Sequence, residues 1–224
     1  MIDFDFQRQQ MVDTQLRTDG ITQTDIVNAF LSVQREHYIP QALASFAYGD
    51  CELLISTQKH DRYELAPATC AHMLKVLNLK ENDAALCVAP ATGYTPRVMA
   101  QLCATVSVLD DEAAHLDAMG QIWMDEEIAT IMPLEGDLDK NIPSQESYDG
   151  IFIHGMIAQS PDIYLNLLND EGRLVCITTN QMNGNTDLML YYKQGKHIQA
   201  QIIRSLSSYP AHFLLPEEKF QFAL

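Results

Sequence analysis

A chain of 224 residues with 47% hydrophobic side chains carries enough apolar material for one continuous α/β core, so a single domain is expected. Its formal charge of −16 and pI near 4.6 make an anionic surface that repels phosphate backbones, which argues against nucleic acid as a partner. No stretch is apolar enough to cross a bilayer, and the opening Met1-Ile2-Asp3-Phe4-Asp5-Phe6 lacks the basic start and apolar run of a signal peptide; a cytoplasmic protein with no membrane partner is expected.

Residues 1–50 read as helical. Thr22-Gln23-Thr24-Asp25 resembles a capping box ahead of Ile26, Val27, Phe30, Leu31 and Val33, which lie mostly on one helical face, and Pro40 stops the unit. Residues 50–63 mix Asp, Thr, His and Arg without a period, predicting a surface segment with at most short strands. After Pro67, the recurrence of Cys70, Met73, Leu74 and Leu77 at i, i+3, i+4 and i+7 predicts a helix ending near Asn78.

From Asp83 the rhythm changes to strand, loop, helix. A strand is predicted over 84–88, a turn over 89–94, and a helix opened by Thr95 as N-cap with Pro96 behind it. Further strands are predicted over 105–109, 128–134, 149–153 and 173–178, with helices over about 113–126 and after Ser160-Pro161-Asp162. This alternation predicts a doubly wound, mostly parallel sheet whose ligand lies beyond the carboxyl ends of the strands. Runs 188–192 and 198–204 around Gln194-Gly195-Lys196 predict a hairpin that adds antiparallel strands at one edge.

Such folds hold a cofactor at the loop after the first strand, here Cys87-Val88-Ala89-Pro90-Ala91-Thr92-Gly93-Tyr94. Asp110 ends the second strand as an acceptor suited to both hydroxyls of a ribose, and Gly136-Asp137 ends the third, where a carboxylate can meet an exocyclic amine. Together these describe an adenosine pocket, although acids in such places also serve as N-caps and solvated turn residues. His154, beside Gly155, faces the same pocket, with packing as its plainer explanation; Trp123, Met119 and Met124 read as core. Five cysteines without a C-x-x-C spacing predict reduced thiols, neither a disulfide frame nor a metal site. The motifs of metalloproteases, serine hydrolases and P-loop NTPases are absent.

Met11-Val12-Asp13-Thr14-Gln15-Leu16-Arg17, Gly20-Ile21-Thr22, Val33 to Pro40, Ala47-Tyr48, Arg62 to Pro67, Ala91-Thr92-Gly93-Tyr94, Tyr148-Asp149, Glu171 to Leu174 and the terminal 220–224 together resemble the protein-L-isoaspartate O-methyltransferases, especially a bacterial branch. The resemblance implies a class I, Rossmann-like seven-stranded methyltransferase domain over 1–224, with a helical N-terminal extension and substrate-side segment over 1–65 and the core over 66–224. It implies S-adenosylmethionine as cofactor, held by Ala89, Thr92, Gly93, Tyr94, Asp110 and Asp137, with Arg62, Tyr63 and His154 on the side of an isoaspartyl peptide or protein. The implied activity is repair: methylation of the isoaspartyl carboxylate, after which the ester cyclises to a succinimide whose hydrolysis restores some normal aspartate.

The cofactor turn departs from the family's pattern. Cys87 stands where the family has an acid, and Ala89, Pro90 and Ala91 where it has a glycine-rich turn; the added Cβ atoms restrict positive φ and Pro90 removes one N–H. Leu65 stands where better-studied members carry serine. Two alternatives therefore stay open: a non-catalytic family member that has lost the cofactor and acts as a binding or assembly module, and a methyltransferase with another acceptor.

Overall fold

A computed structural model describes residues 2–59, 61–140, 142, 147–179, 186–206 and 211–213. The N-terminal extension is α1 (Phe4–Met11), continued by a wider helical turn over Val12–Leu16, then α2 (Thr24–Ser32) and short 3-10 turns at Arg35–His37 and Gln41–Phe46. A hairpin follows, β1 (Leu53–Ser56) with β2 (Asp61–Glu64), in register from Leu53 opposite Glu64 to Ser56 opposite Asp61. Next come α3 (Pro67–Leu77), β3 (Ala84–Val88), α4 (Tyr94–Met99), β4 (Thr105–Asp110), α5 (Ala113–Asp125), β5 (Ile131–Glu135) and β6 (Tyr148–Ile157). The chain continues through α6 (Asp162–Leu165), β7 (Leu168–Thr179), β8 (Thr186–Gln194), β9 (His197–Leu206) and β10 (Ala211–Phe213).

The main sheet runs β5-β4-β3-β6-β7-β8-β9, parallel from β5 through β7 and antiparallel at β8 and β9, with β10 added alongside β6. This is the expected mostly parallel seven-stranded order with antiparallel edge strands; β10 is an addition. Central strands such as β3 and β4 are buried on both faces, which is why they read as continuous apolar runs rather than alternating ones. One apolar core joins the N-terminal extension to the sheet, from Met11, Leu16 and Phe30 through Leu74 and Val98 to Trp123 and Ile177. A second, around Leu86, Ile151, Tyr164 and Leu174, fills the other face. The strand order reverses between β3 and β6, placing the ends of β3 and β4 at the crevice where α/β folds bind ligands.

Local details differ from the sequence reading. The capping box does not form: Gln23 is the N-cap of α2 without a side-chain bond, and the Asp25 carboxylate accepts from the Ile26 N–H. Helix α4 starts at Tyr94 with Gly93 as N-cap, so Thr95 lies inside it. Strand β5 begins at Ile131, later than expected, because α5 closes with left-handed Glu127 (φ 57°) and an Ile128 N–H to Trp123 carbonyl bond, which uses the residues between. Strand β6 runs on to Ile157 past Gly155 at φ 86°. The terminal 220–224 motif lies outside the described residues.

Candidate cofactor site

The turn after β3 is shaped by its substitutions. Ala89 sits at φ 50°, the left-handed region that costs an L-residue about 1–2 kcal/mol and suits glycine, and its N–H is held by the Leu109 carbonyl. Gly93 is required for packing: a Cβ there would lie 2.9 Å from Trp123 Nε1, whose N–H donates to the Gly93 carbonyl at 3.0 Å. Thr92 Oγ1 donates to Glu64 at 2.9 Å and accepts from the Tyr94 N–H. Tyr94 is buried beneath the Arg35 guanidinium, 4.7 Å from its ring centroid.

The structure brings Asp110 and the 136–137 turn together, since the Gly136 N–H donates to the Asp110 carbonyl and Asp110 pairs with Glu135. Asp137 is exposed and accepts from the Asp139 and Lys140 N–H groups. Asp110 is wholly buried, and its carboxylate is engaged by Arg62 in a two-pronged pair: Nη1 donates to Oδ2 at 2.5 Å and Nη2 to Oδ1 at 3.0 Å. The Glu112 N–H also donates to Oδ1. Arg62, expected on the substrate side, therefore lies instead on Asp110, the acid expected to accept a ribose; its Nη1 reaches the Pro90 carbonyl as well, at 3.2 Å. Burial pushes the Asp110 carboxyl up from its ordinary pKa, against the opposing pull of Arg62 and His115.

The rest of the hairpin docks on the same acidic turn. The backbone N–H groups of Gln58 and Lys59 donate to the Glu112 carboxylate at 3.0 and 3.3 Å, and Lys59 Nζ donates to Asp111. Burial works to raise the Glu112 carboxyl, but hydrogen bonds from Thr57, Gln58 and Lys59 outweigh it and hold the pKa below its usual value.

Behind the turn lies a buried polar network. Arg35 donates to Glu64 at 3.0 Å and to the Leu65 carbonyl at 2.8 Å, tying the N-terminal extension to β2. Burial raises the Glu64 carboxyl, opposed by Arg35 and Thr92. His154 is buried, with Nε2 3.2 Å from the Tyr63 carbonyl and 3.8 Å from Glu64, while Nδ1 has no hydrogen-bond partner among the described residues. Burial pushes the His154 pKa down to about 3, so the ring is neutral at physiological pH and its Nε2–H donates to Tyr63. Tyr63 itself is half-buried.

These contacts decide how the turn stands toward S-adenosylmethionine. Both Asp110 oxygens are engaged and out of reach of solvent, so a ribose diol finds no accessible acceptor there. Ala89, Pro90, Ala91 and Thr92 are buried as well. With the hairpin docked, these residues do not fit the cofactor. A polar cleft of about 390 Å³ lined by Thr14, Asp19, His72 and Arg204 shares no residue with the turn. Among the described residues no cluster of His, Cys, Asp or Glu could hold a metal ion, and no helix is long and apolar enough to cross a membrane.

Sequence reasoning missed Arg35, Glu64 and Glu112. Glu64 stands as a lone charge between Tyr63 and Leu65, but Arg35 lies between Gln34 and Glu36 and Glu112 follows two aspartates, and spacing along the chain does not say which charges meet.

The profile of the protein-L-isoaspartate(D-aspartate) O-methyltransferase family matches residues 7–209. Among curated relatives, the protein-L-isoaspartate O-methyltransferase of Methylorubrum extorquens is 30% identical over 82% of this chain and 78% of its own length. That of Herpetosiphon aurantiacus is 28% identical over 91% and 89%. Among solved structures, a protein-L-isoaspartate O-methyltransferase superposes with a TM-score of 0.77 at 17% identity, covering 93% of this chain and 67% of its own. A candidate protein-L-isoaspartate O-methyltransferase from Plasmodium falciparum, solved with S-adenosyl-L-homocysteine, gives 0.75 at 17% identity over 96% and 100%. The solved structures establish the fold, and the match along nearly the whole sequence, N-terminal extension included, establishes the lineage: this chain belongs to the protein-L-isoaspartate O-methyltransferase family.

Proposed function

We propose that the chain is an S-adenosylmethionine-dependent methyltransferase acting on the free carboxylate of isoaspartyl residues in damaged proteins. The observation that carries this reading is the family match over residues 7–209, which includes the extension as well as the core. In this reading residues 1–224 are one cytoplasmic methyltransferase domain, with 1–65 on the substrate side, and Thr92, Gly93 and Asp137 stay at the cofactor turn. The isoaspartyl carboxylate is ionised at neutral pH and already nucleophilic, so the acceptor needs alignment and removal of water rather than a general base. Neutral His154 is consistent with that: it is a neighbour of the Tyr63 carbonyl rather than a proton acceptor.

The test is transfer of labelled methyl from S-adenosylmethionine to an isoaspartyl peptide, with the matching aspartyl peptide as control. Label in the isoaspartyl peptide alone is expected. No label, together with no heat on titrating S-adenosylhomocysteine into concentrated protein, removes the proposal.

Ala89 at φ 50° and the Arg62 pair on Asp110 favour one further reading, a non-catalytic binding or assembly module. Restoring Cys87→Asp with Ala89→Gly and Ala91→Gly separates the two. Cofactor binding gained from a silent parent supports the module, and binding unchanged from a competent parent supports the enzyme.

A further inference from the structure

We infer that the β1–β2 hairpin is a strap that competes with nucleoside for Asp110, so that the cofactor enters only when the hairpin lifts from the 110–112 turn. This rests on the reading of that turn as a nucleoside site.

Three features of the docked hairpin carry the inference. Arg62 presents two N–H donors to Asp110 side by side, meeting the same carboxylate that would accept both hydroxyls of a ribose, so one occupant excludes the other. The tip is held separately, by Gln58 and Lys59 on Glu112 and by Lys59 on Asp111, so the strap is fastened to the acidic turn at two points along its length. Finally, the strap sits directly on the loop, with Arg62 on the Pro90 carbonyl. Lifting the Arg62 end of the hairpin frees an acidic turn and breaks no ladder of the main sheet, because among the described residues β1 and β2 pair with each other alone; Glu64, held by Arg35 and Thr92, stays in place as the root of the strap.

A site open in only a small fraction of molecules binds more weakly by that fraction, so loosening the strap must tighten binding. Glu112→Ala is the informative variant. It removes the acceptor for the tip without touching Asp110 or Arg62, and Glu112, though the N-cap of α5, makes no side-chain cap bond, so the helix keeps its start. Arg62→Met is the companion, and its folding is checked beforehand because it leaves Asp110 buried and unpaired.

The experiment titrates S-adenosylhomocysteine into the full chain and into Glu112→Ala by calorimetry, and follows amide hydrogen exchange at Gln58 and Lys59 of the full chain with and without it. The strap predicts binding about ten- to a hundredfold tighter in Glu112→Ala, for a strap open in about 1–10% of molecules. It also predicts faster exchange at Gln58 and Lys59 in the complex, because lifting breaks their bonds to Glu112. Equal affinity in the two proteins, slower exchange at those amides, or no binding by either protein overturns it. The functional proposal fails separately: Glu112→Ala that binds tightly but methylates no isoaspartyl peptide upholds the strap and removes the acceptor. A parent that methylates the peptide with exchange at Gln58 and Lys59 slowed removes the strap and leaves the activity.

Discussion

Arg62→Met tests how firmly the hairpin is seated, through stability rather than binding. The pair is almost fully enclosed, with side chains 3% and 0% exposed, so solvent screening does little to weaken it. Removing the guanidinium takes away both donors to Asp110 and leaves its carboxylate with the Glu112 N–H. Breaking such a pair from one side costs about 3–5 kcal/mol, since an uncompensated charge stays buried. The exposed Arg17–Asp13 pair, 48% and 42% open, is a built-in comparison worth about 0–1 kcal/mol. Taking out both charges in Arg62→Met/Asp110→Leu should return most of the loss, because well-packed apolar replacements of buried pairs are often neutral. Urea unfolding at pH 7, followed by far-ultraviolet circular dichroism, reads each corner of this cycle. A cost for Arg62→Met below about 1 kcal/mol, or a double variant that costs the sum of its singles, refutes the buried seat of Arg62.

His154 makes stability depend on acid. Its pKa is about 3 in the folded chain and about 6.5 when unfolded, so the unfolded state binds the extra proton and stability falls as pH drops from about 6.5 toward 3, by up to about 1.4 kcal/mol per unit. His154→Gln should lose roughly one proton of that slope between pH 6.5 and 4, and an unchanged slope contradicts the buried neutral ring. Gly93→Ala should cost about 1–3 kcal/mol in urea unfolding, because its Cβ meets the buried Trp123 indole at 2.9–3.2 Å; a neutral substitution means the indole is not packed there. Of the five cysteines only Cys51 is exposed, while burial pushes the Cys70 and Cys103 thiols up to about 12. A thiol reagent should therefore react promptly with one group in the native chain and with five after denaturation, and a second fast thiol would place one of the buried four at the surface.

Much of the architecture was legible along the chain because it rests on local regularities. The strand over 84–88 and the hairpin around Gly195 follow from short apolar runs and turn residues, and the helix from Pro67 to its left-handed cap at Asn78 follows from the 3.6-residue period. Boundaries set by competition between neighbours were not legible. The left-handed close of α5 at Glu127 delayed β5, and the backbone chose Gly93 over Thr95 as the cap of α4.

The order of strands and helices, the N-terminal extension and the altered turn at 87–91 are properties of the sequence itself, fixed by patterns a few residues long. Which charge meets Asp110 is not, because Arg62 lies on a hairpin 48 residues away and reaches it only through the packing of that hairpin on the sheet's carboxyl end. An acid at the end of a strand looks the same in the chain whether it awaits a ribose or already holds an arginine. Only the tertiary structure, by burying that acid and bringing one particular cation to it, tells them apart.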